Sequence, residues 1–437
     1  MAARETALNV LLTCRKEGGW SNGVLKDYII RDGLDSREAA LATRLASGVL
    51  QNRLKLDHYL KQLLTGKLRD LHPVLRDILH LGLYQLLEMD RIPDAAAVNE
   101  SVALAKKYCP KLRHGAGLVN GVLRNAVRQK DSLEPPKSWV DKYSHPQKLI
   151  DLLDGYVGHQ NMEAMLRANN EAPATVIQVN TLKTTTEALR ISLEAQGMHV
   201  EAHPWLPDCL KLNHTGNLER LDAFREGLFY VQDAAARLSV LCAGLHGDAK
   251  VLDCCAAPGG KTFAAAMALQ GRGQLHACDV HGHKTGLIEN GARRLGLTNV
   301  TVSQQDASEF VPQWENTMDT VICDVPCSGY GIIRKKPDIR YKDPDTMKDL
   351  PKLQLSILKN QARYVKPGGT LLYSTCTLLY RENEAVVEAF VKENTDFILE
   401  NLELPDVFGA HASPMLMLVP GMYDTDGFYF CRLRRKL

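Results

Sequence analysis

The second half of the chain, from about residue 236, repeats one pattern: a short apolar run, a turn rich in small or polar residues, and a longer stretch with helical spacing. Strands that alternate with helices lie parallel in one sheet, because each crossover helix returns the chain to the same edge. The pattern predicts a doubly wound, Rossmann-like α/β domain over residues 236–437, with ligands bound at the carboxyl ends of its strands. Five runs are predicted as strands: 250–254, 274–278, 300–303, 320–323 and 370–373.

The loop after the first predicted strand carries the sequence DCCAAPGGKT, residues 253–262. Gly259 and Gly260 let the backbone approach a ligand closely, and the N-terminus of the next helix offers free N–H groups. A Walker loop would need glycine at the position of Cys255, so an NTPase is disfavoured, and a G-x-G-x-x-G motif is absent. The loop therefore predicts a nucleoside ligand without a phosphate-binding signature.

Aspartates close the next three predicted strands: Asp279, Asp306 and Asp324. A single aspartate at a strand end is common as a turn or helix cap, but three in register with the glycine-rich loop favour a site. The position of Asp279 suits the ribose hydroxyls of a nucleoside. S-adenosylmethionine is the cofactor most consistent with this arrangement. No metal site is predicted, because His281 and His283 have no clustered ligands in sequence and are interpreted as surface residues.

Two cysteines, Cys327 and Cys376, lie just beyond the fourth and fifth predicted strands, on the same edge. Free cysteines usually pack as small hydrophobes, and that interpretation is kept for Cys254, Cys255, Cys278 and Cys323. At a ligand edge a thiolate is a nucleophile. Cytosine C5 is too weak a nucleophile to accept a methyl group directly, and thiolate addition at C6 makes it enamine-like. The two thiols with Asp324 therefore predict pyrimidine methylation, without indicating which thiol attacks.

Basic residues are unevenly distributed, with 22 basic against 15 acidic side chains over residues 1–140, although the formal charge of the whole chain is +2. Phosphate contact is one interpretation, and a solvated surface is the other. A second basic loop, GIIRKKPDIRYK, follows Cys327. The candidate RNA contacts are Lys106, Lys107, Arg124, Arg128, Arg334, Lys335, Lys336 and Arg340.

A chain of 437 residues is too long for one ordinary core. Residues 1–135 have helical spacing and end at Pro135-Pro136, residues 141–235 alternate between helical and strand-like runs, and the α/β pattern follows. An all-α domain, a small α+β module and a methyltransferase-like domain are predicted. No run of eighteen apolar residues and no signal peptide occurs, and the eleven cysteines match no zinc or disulfide framework. A cytoplasmic protein with reduced thiols and no membrane contact is expected.

The motifs DCCAAPGGKT, DVPCSG, RKKPDIRYK and YSTCTL occur in the order and spacing of the bacterial Sun/Fmu-type 16S rRNA cytosine-C5 methyltransferases, which the chain resembles over essentially its whole length. The stretches LHLGLYQLLEMDRIPDAAAVNESVALAK and GLVNGVLRN are similar to the NusB-like RNA-binding domain fused to this subgroup. Two departures occur: Gln178-Val179-Asn180 replaces the common Arg-x-Asn, and Tyr380-Arg381 replaces Pro-Glu after the STCTL motif.

The resemblance implies roles for individual residues. Cys376 would be the nucleophile, Cys327 would help to release the methylated product, and Asp324 would hold the base edge or the methionine end of the cofactor. The implied S-adenosylmethionine site is Cys255, Ala256, Ala257, Pro258, Gly259, Gly260, Lys261, Asp279, Asp306 and Asp324. The implied substrate is 16S rRNA, either free or in an assembly intermediate, and the protein is expected to be a monomer.

Two alternatives remain open. One is an RNA-binding or antitermination-like protein with a vestigial catalytic half, which would bind RNA through the basic helices near Arg124 and ignore the cofactor. The other is a tRNA substrate, which shares all of the chemistry.

Overall fold

The computed structural model describes residues 2–17, 21–213, 215–409 and 412–437. The chain forms two compact units. Unit 1 comprises Met1–Glu171 with Ile333–Lys342, and unit 2 comprises Ala172–Ile332 with Asp343–Leu437. A segment of the second half of the sequence, which includes most of the basic loop after Cys327, is therefore part of the first unit.

Unit 1 is helical. Its core is formed mainly by leucines, among them Leu8, Leu45, Leu56 and Leu79, which are fully buried. Within the described ranges, no helix has the length and apolar character that a membrane crossing requires. The helices are α1 (Ala2–Glu17), α2 (Ser21–Arg31), α3 (Ser36–Leu63), α4 (Pro73–Glu88), α5 (Asp94–Tyr108), α6 (Gly115–Gln129), α7 (Trp139–Tyr143), α8 (Gln147–Val157) and α9 (His159–Ala168).

Helix α6 has the two faces that its sequence predicts. Val119 and Leu123 are fully buried in the core of unit 1, whereas Arg124 and Arg128 are exposed. Arg124 donates from Nε to the Oδ1 of Asn120, one turn earlier, at 3.0 Å. One face of α6 is therefore part of the core, and the other is basic.

Unit 2 begins with a small antiparallel sheet and two helices, consistent with the α+β pattern predicted for this part of the chain. The strand order is β2-β3-β1-β4, and Gln178 on β1 is buried. The elements are β1 (Thr175–Val179), α10 (Thr186–Ala195), β2 (His199–Ala202), β3 (Cys209–Asn213), α11 (Asp222–Arg225) and β4 (Phe229–Val231).

The rest of unit 2 is an eight-stranded sheet with helical crossovers. Its order is β10-β12-β9-β8-β5-β6-β7, with β11 paired to β12. The strands β5, β6, β7, β8 and β9 are parallel to their neighbours in this set, as predicted. The elements are α12 (Ala234–Leu241), β5 (Lys250–Asp253), α13 (Gly260–Ala268), β6 (Gln274–Asp279), α14 (Gly282–Leu295), β7 (Val300–Gln304), β8 (Met318–Asp324), α15 (Leu350–Ala362), β9 (Val365–Thr375), α16 (Glu384–Glu393), β10 (Phe397–Leu399), β11 (Met415–Leu418) and β12 (Phe428–Arg435).

The C-terminal sequence RLRRKL is not a loose basic tail, because most of it belongs to strand β12. This strand pairs antiparallel with β9, β10 and β11. Arg432 and Arg434 both form ion pairs with Glu400. Sequence patterns missed β10, β11 and β12. The three and four residues of β10 and β11 are too few to show a period, and the eight residues of β12 join an apolar run to a basic one without a clear alternation.

Candidate active site

The loop between β5 and α13 is shaped by glycine and held by the neighbouring strand β6. Gly259 has φ +113, and a Cβ there would lie 2.4 Å from the ring of Phe263, so another side chain would be strained and would clash. Ala256 donates its N–H to the carbonyl of Cys278 at 2.7 Å. Ala257 donates its N–H to Oδ2 of Asp279 at 3.2 Å. The backbone is thereby fixed against the sheet edge.

The loop forms one side of a cavity of about 180 Å³. Most residues of the predicted cofactor loop line it, together with Asp324 from the end of β8. Sequence analysis missed Gln232, which no motif marks, and Asp253, which ends β5 as the other aspartates end their strands. The lining residues are Val231, Gln232, Ala236, Asp253, Cys255, Ala256, Ala257, Pro258, Gly260, Lys261 and Asp324.

Lys261 and Asp324 form an ion pair across this cavity, with Nζ and Oδ2 2.6 Å apart. The Lys261 side chain is only 8% exposed, so the pair is shielded from solvent on the lysine side. Ser374 on β9 donates its hydroxyl to Oδ1 of Asp324 at 2.8 Å. Both oxygens of the Asp324 carboxylate therefore have fixed partners.

Asp253 is a fully buried carboxyl group at the wall of the cavity. Thr262 donates its hydroxyl to Oδ2 at 2.7 Å, whereas Oδ1 has no hydrogen-bond partner among the described residues. Burial raises the pKa of Asp253 to about 7, more than the Thr262 hydrogen bond lowers it. A buried acceptor without a partner at a cavity wall is suited to a ligand that donates a hydrogen bond.

The other two predicted aspartates are placed differently. Asp279 is 8% exposed, and its Oδ1 accepts the N–H of His281 at 2.9 Å, so this carboxylate supports the loop that lines the cavity. Asp306 does not line the cavity. It accepts hydrogen bonds from the hydroxyl and the N–H of Ser308, and these bonds lower the pKa of Asp306.

The thiols of Cys327 and Cys376 lie together, with Sγ atoms 3.2 Å apart. Both residues are half-buried and follow the carboxyl ends of β8 and β9. The Cys376 sulfur and burial raise the pKa of Cys327, and the carboxylates of Glu382 and Asp324 raise it further. Cys327 therefore keeps its proton at neutral pH. An ordered pair of thiols at the sheet edge that carries Asp324 is suited to a reaction with one nucleophile and one proton carrier.

The packing interpretation is confirmed for Cys254, Cys278 and Cys323, which are at most 2% exposed. Burial raises the pKa of both Cys278 and Cys323, which makes their thiols poor nucleophiles. Cys255 is half-buried instead, because it lies in the loop after β5 and contributes to the cavity wall.

Arg340 does not have the surface position that a phosphate contact requires. It is 1% exposed, and its guanidinium donates to the carbonyls of Gln51, Tyr143 and Asn169 within unit 1. The expectation that Arg340 contacts RNA is therefore corrected: a basic residue in a basic loop is here an internal hydrogen-bond donor. Burial lowers its pKa to about 10.

Replacing Arg340 with alanine is expected to destabilise unit 1 by about 3–5 kcal/mol, since several buried carbonyls lose their donor. Thermal unfolding of Arg340→Ala, beside Arg334→Ala, measures this effect. If Arg340→Ala has the melting temperature of the wild type but binds RNA weakly, the original interpretation of Arg340 as an RNA contact is restored.

The remaining candidate RNA contacts are partly or fully exposed. Lys106, Arg124 and Arg128 are exposed on α5 and α6, whereas Lys107 pairs with Glu5. Arg334, Lys335 and Lys336 are half-buried in the segment that belongs to unit 1. Unit 1 therefore carries all eight of the residues that were predicted to contact RNA.

The parallel sheet, the glycine-shaped loop and the strand-end carboxylates define an S-adenosylmethionine-dependent methyltransferase domain. Residues 241–434 match the family model described as 16S rRNA methyltransferase RsmB/F, residues 1–128 match the NusB family, and residues 145–219 match the ferredoxin-like domain of RsmF/B-like methyltransferases. A probable ribosomal RNA small subunit methyltransferase B of Bacillus subtilis is 36% identical over 448 residues, which cover 100% of this chain and 99% of the relative. The chain belongs to the RsmB/F family of S-adenosylmethionine-dependent 16S rRNA methyltransferases.

Further relatives agree with this assignment. The ribosomal RNA small subunit methyltransferase B of Salmonella arizonae is 34% identical, with 92% of this chain and 91% of the relative covered. Among solved structures, PH0851 has a TM-score of 0.80 and 25% identity, with 99% of this chain and 98% of that chain covered. A methyltransferase homologue from Pyrococcus horikoshii has a TM-score of 0.58 and 26% identity, with 68% and 98% covered. The predicted NusB-like, small and α/β domains are confirmed as the fold of the chain.

Proposed function

We propose that the enzyme methylates C5 of a specific cytosine in 16S rRNA through a covalent bond between a cysteine sulfur and C6. The observation that carries this proposal is the 3.2 Å separation of the Cys327 and Cys376 sulfurs at the sheet edge that also carries Asp324. Methylation of a ring or exocyclic nitrogen would need no sulfur nucleophile, because nitrogen lone pairs attack a methyl donor directly. A sulfur nucleophile is what this carbon acceptor requires, and a second thiol beside it is suited to assist the release of the product.

The cavity beside α13 fits S-adenosylmethionine, which when bound supplies an electrophilic methyl group on a positively charged sulfur. The unpartnered Oδ1 of Asp253 is an acceptor for an amino or hydroxyl donor. Cys255–Gly260 provides a close backbone surface, and Asp279 keeps that surface in place through Ala257. Lys261 keeps Asp324 oriented. Asp306, two residues beyond β7, is also proposed to contact the cofactor.

In the proposed reaction, Cys376 attacks C6 as the thiolate and C5 gains enamine character. Cys327 is still protonated at that stage, because its pKa is raised. After C5 has been methylated, Cys327 gives up its own proton to solvent and, as the thiolate, takes up the C5 proton; the electron pair of the C5–H bond restores the ring double bond and expels the Cys376 thiolate from C6. Asp324 accepts a hydrogen bond from the exocyclic amine of cytosine, an acceptor pairing that carboxylates make with this base.

The target cytosine has to be unpaired or flipped out, because the deep major groove of A-form RNA does not admit side chains. The accessible basic residues of unit 1 are proposed to contact phosphates: Lys106, Lys107, Arg124, Arg128, Arg334, Lys335 and Lys336. We propose that the enzyme acts as a monomer in the cytoplasm, on free 16S rRNA or an assembly intermediate.

We also propose that the domain limits lie near residues 135, 141 and 236.

The test is methyl transfer from radiolabelled S-adenosylmethionine to RNA from a strain that lacks the gene, followed by bisulfite sequencing. We expect one protected cytosine in 16S rRNA and none in tRNA. If protected cytosines occur only in tRNA, the substrate is tRNA and not 16S rRNA. A methyl label on a nitrogen atom, or calorimetry that shows no cofactor binding, would reject the proposed chemistry.

A further inference from the structure

Two consecutive residues, Glu382 and Asn383, lie fully buried between the cysteine loops and helix α16. They follow the two positions, Tyr380 and Arg381, at which this chain departs from the common family sequence. The side chains of both residues form hydrogen bonds with other parts of unit 2: the Tyr380 hydroxyl donates to Glu388, and Arg381 donates to the carbonyl of Pro344. Glu382 and Asn383 are therefore the part of this turn that faces the thiol loops.

Asn383 holds both neighbours of Cys376. Its Oδ1 accepts the hydroxyl of Thr375 at 2.6 Å, and its Nδ2 donates to the carbonyl of Thr377 at 3.1 Å. Thr375, Thr377 and Asn383 are all fully buried, so these bonds are shielded from water. The backbone position of Cys376 is thus fixed from either side by one amide group.

Glu382 holds the neighbours of Cys327 in a similar way. Its Oε2 accepts the N–H of Ser328 at 2.9 Å and Nε2 of Gln354 at 3.0 Å. Gln354 also donates from Nε2 to the carbonyl of Pro326 at 2.9 Å. The residue after Cys327 is therefore bonded to this carboxylate directly, and the residue before it is linked to the carboxylate through Gln354.

The two halves of this network are joined directly, since the hydroxyls of Ser328 and Thr377 are 2.7 Å apart. A further bond runs from the N–H of Gly331 to the carbonyl of Cys376 at 2.9 Å. Without such ties, two loops that leave different strands would vary independently in position.

We propose that Glu382 and Asn383 are positioning residues that set the distance between the Cys327 and Cys376 sulfurs, and so determine how fast the covalent reaction runs. This inference rests on the proposed function, in which one sulfur attacks and the other assists release. It concerns the rate of reaction after binding, because neither residue lines the cavity beside α13.

The experiment compares Asn383→Ala with Asn394→Ala. Asn394 lies at the other end of α16 and donates from Nδ2 to the carbonyl of Phe390, so it controls for loss of a helix-end amide. We expect Asn383→Ala to lower kcat about 100-fold, the effect of an ångström-scale misplacement of reacting groups, with KM for 16S rRNA and for the cofactor nearly unchanged. Asn394→Ala is expected to keep the wild-type kcat.

A second readout needs neither RNA nor cofactor. Diamide accepts two electrons and two protons from a pair of thiols, and the sulfurs join as a disulfide. In the wild type, this disulfide is expected to form rapidly between Cys327 and Cys376, and mass spectrometry detects it. In Asn383→Ala it is expected to form about tenfold more slowly, because a displaced thiol meets its partner less often. If wild-type enzyme makes no C5-methylcytosine, the proposed function fails, and the disulfide rates still test positioning.

Ser328→Ala serves where Asn383→Ala does not fold, since it deletes a single hydroxyl and its link to Thr377. It is expected to slow both methyl transfer and disulfide formation, with a melting temperature lowered by only about 2–8 °C, the effect of one lost buried hydrogen bond. Wild-type kcat and wild-type disulfide rates in the folded variants would overturn the proposal, and so would a rise in KM without a fall in kcat.

Discussion

Cys376→Ala is expected to lose methyl transfer altogether, a fall in kcat of roughly 10⁴-fold or more, as when other enzymes lose their nucleophile. The reason is chemical, because without sulfur at C6 the C5 carbon of cytosine does not attack a methyl donor. Binding of S-adenosylmethionine should be unaffected, since Cys376 does not line the cavity beside α13. Label transfer under single-turnover conditions and calorimetry with the cofactor measure the two effects separately.

Cys14→Ala is the matched control, because Cys14 is another half-buried cysteine outside any disulfide and lies in unit 1. It should leave the rate at the wild-type value. A Cys376→Ala enzyme that still methylates cytosine at a comparable rate would mean that another group attacks, and Cys327 would be the first candidate.

Cys327→Ala is expected to trap the enzyme on its RNA, giving a covalent complex that survives denaturation. Without Cys327 the C5 proton is removed slowly, so the bond between Cys376 and C6 persists after methyl transfer. Most of the enzyme should then migrate with RNA on a denaturing gel, where the wild type shows little such complex. Nuclease digestion followed by mass spectrometry should locate the modified nucleotide on Cys376.

The double variant Cys327→Ala with Cys376→Ala should abolish the complex. If the single variant Cys376→Ala accumulates it instead, the two thiols exchange roles, and the cysteine after proline in DVPCSG is the nucleophile.

Prediction from sequence succeeded where the signal was local. The five predicted parallel strands occur at the expected positions, and the loop from Cys255 to Lys261 lies at the end of the first of them. It failed where the deciding contact was distant in sequence. Arg340 has the composition and surroundings of a phosphate contact, yet its partners include Gln51, 289 positions away.

The positioning pair shows the same limit within the site. Glu382 and Asn383 have no motif chemistry of their own, and their importance follows from hydrogen bonds to Ser328, Thr375 and Thr377. The sequence analysis did not select Asp253 as a site residue, although Asp253 ends a strand just as Asp279 does, and that feature was the reason for selecting Asp279. Conversely, Asp306 carried that signal but does not line the cavity.

The amino-acid order alone fixes the chemistry available to this protein: two thiols and an aspartate beyond parallel strands, and a glycine-rich turn before a helix. Strand period and turn composition place such groups on one edge, because parallel strands all end on the same side of their sheet. Three features depend on the folded chain: the sulfurs are 3.2 Å apart, Lys261 pairs with Asp324, and Arg340 is buried. These are contacts between residues far apart in the chain, and their geometry depends on packing that no local pattern encodes.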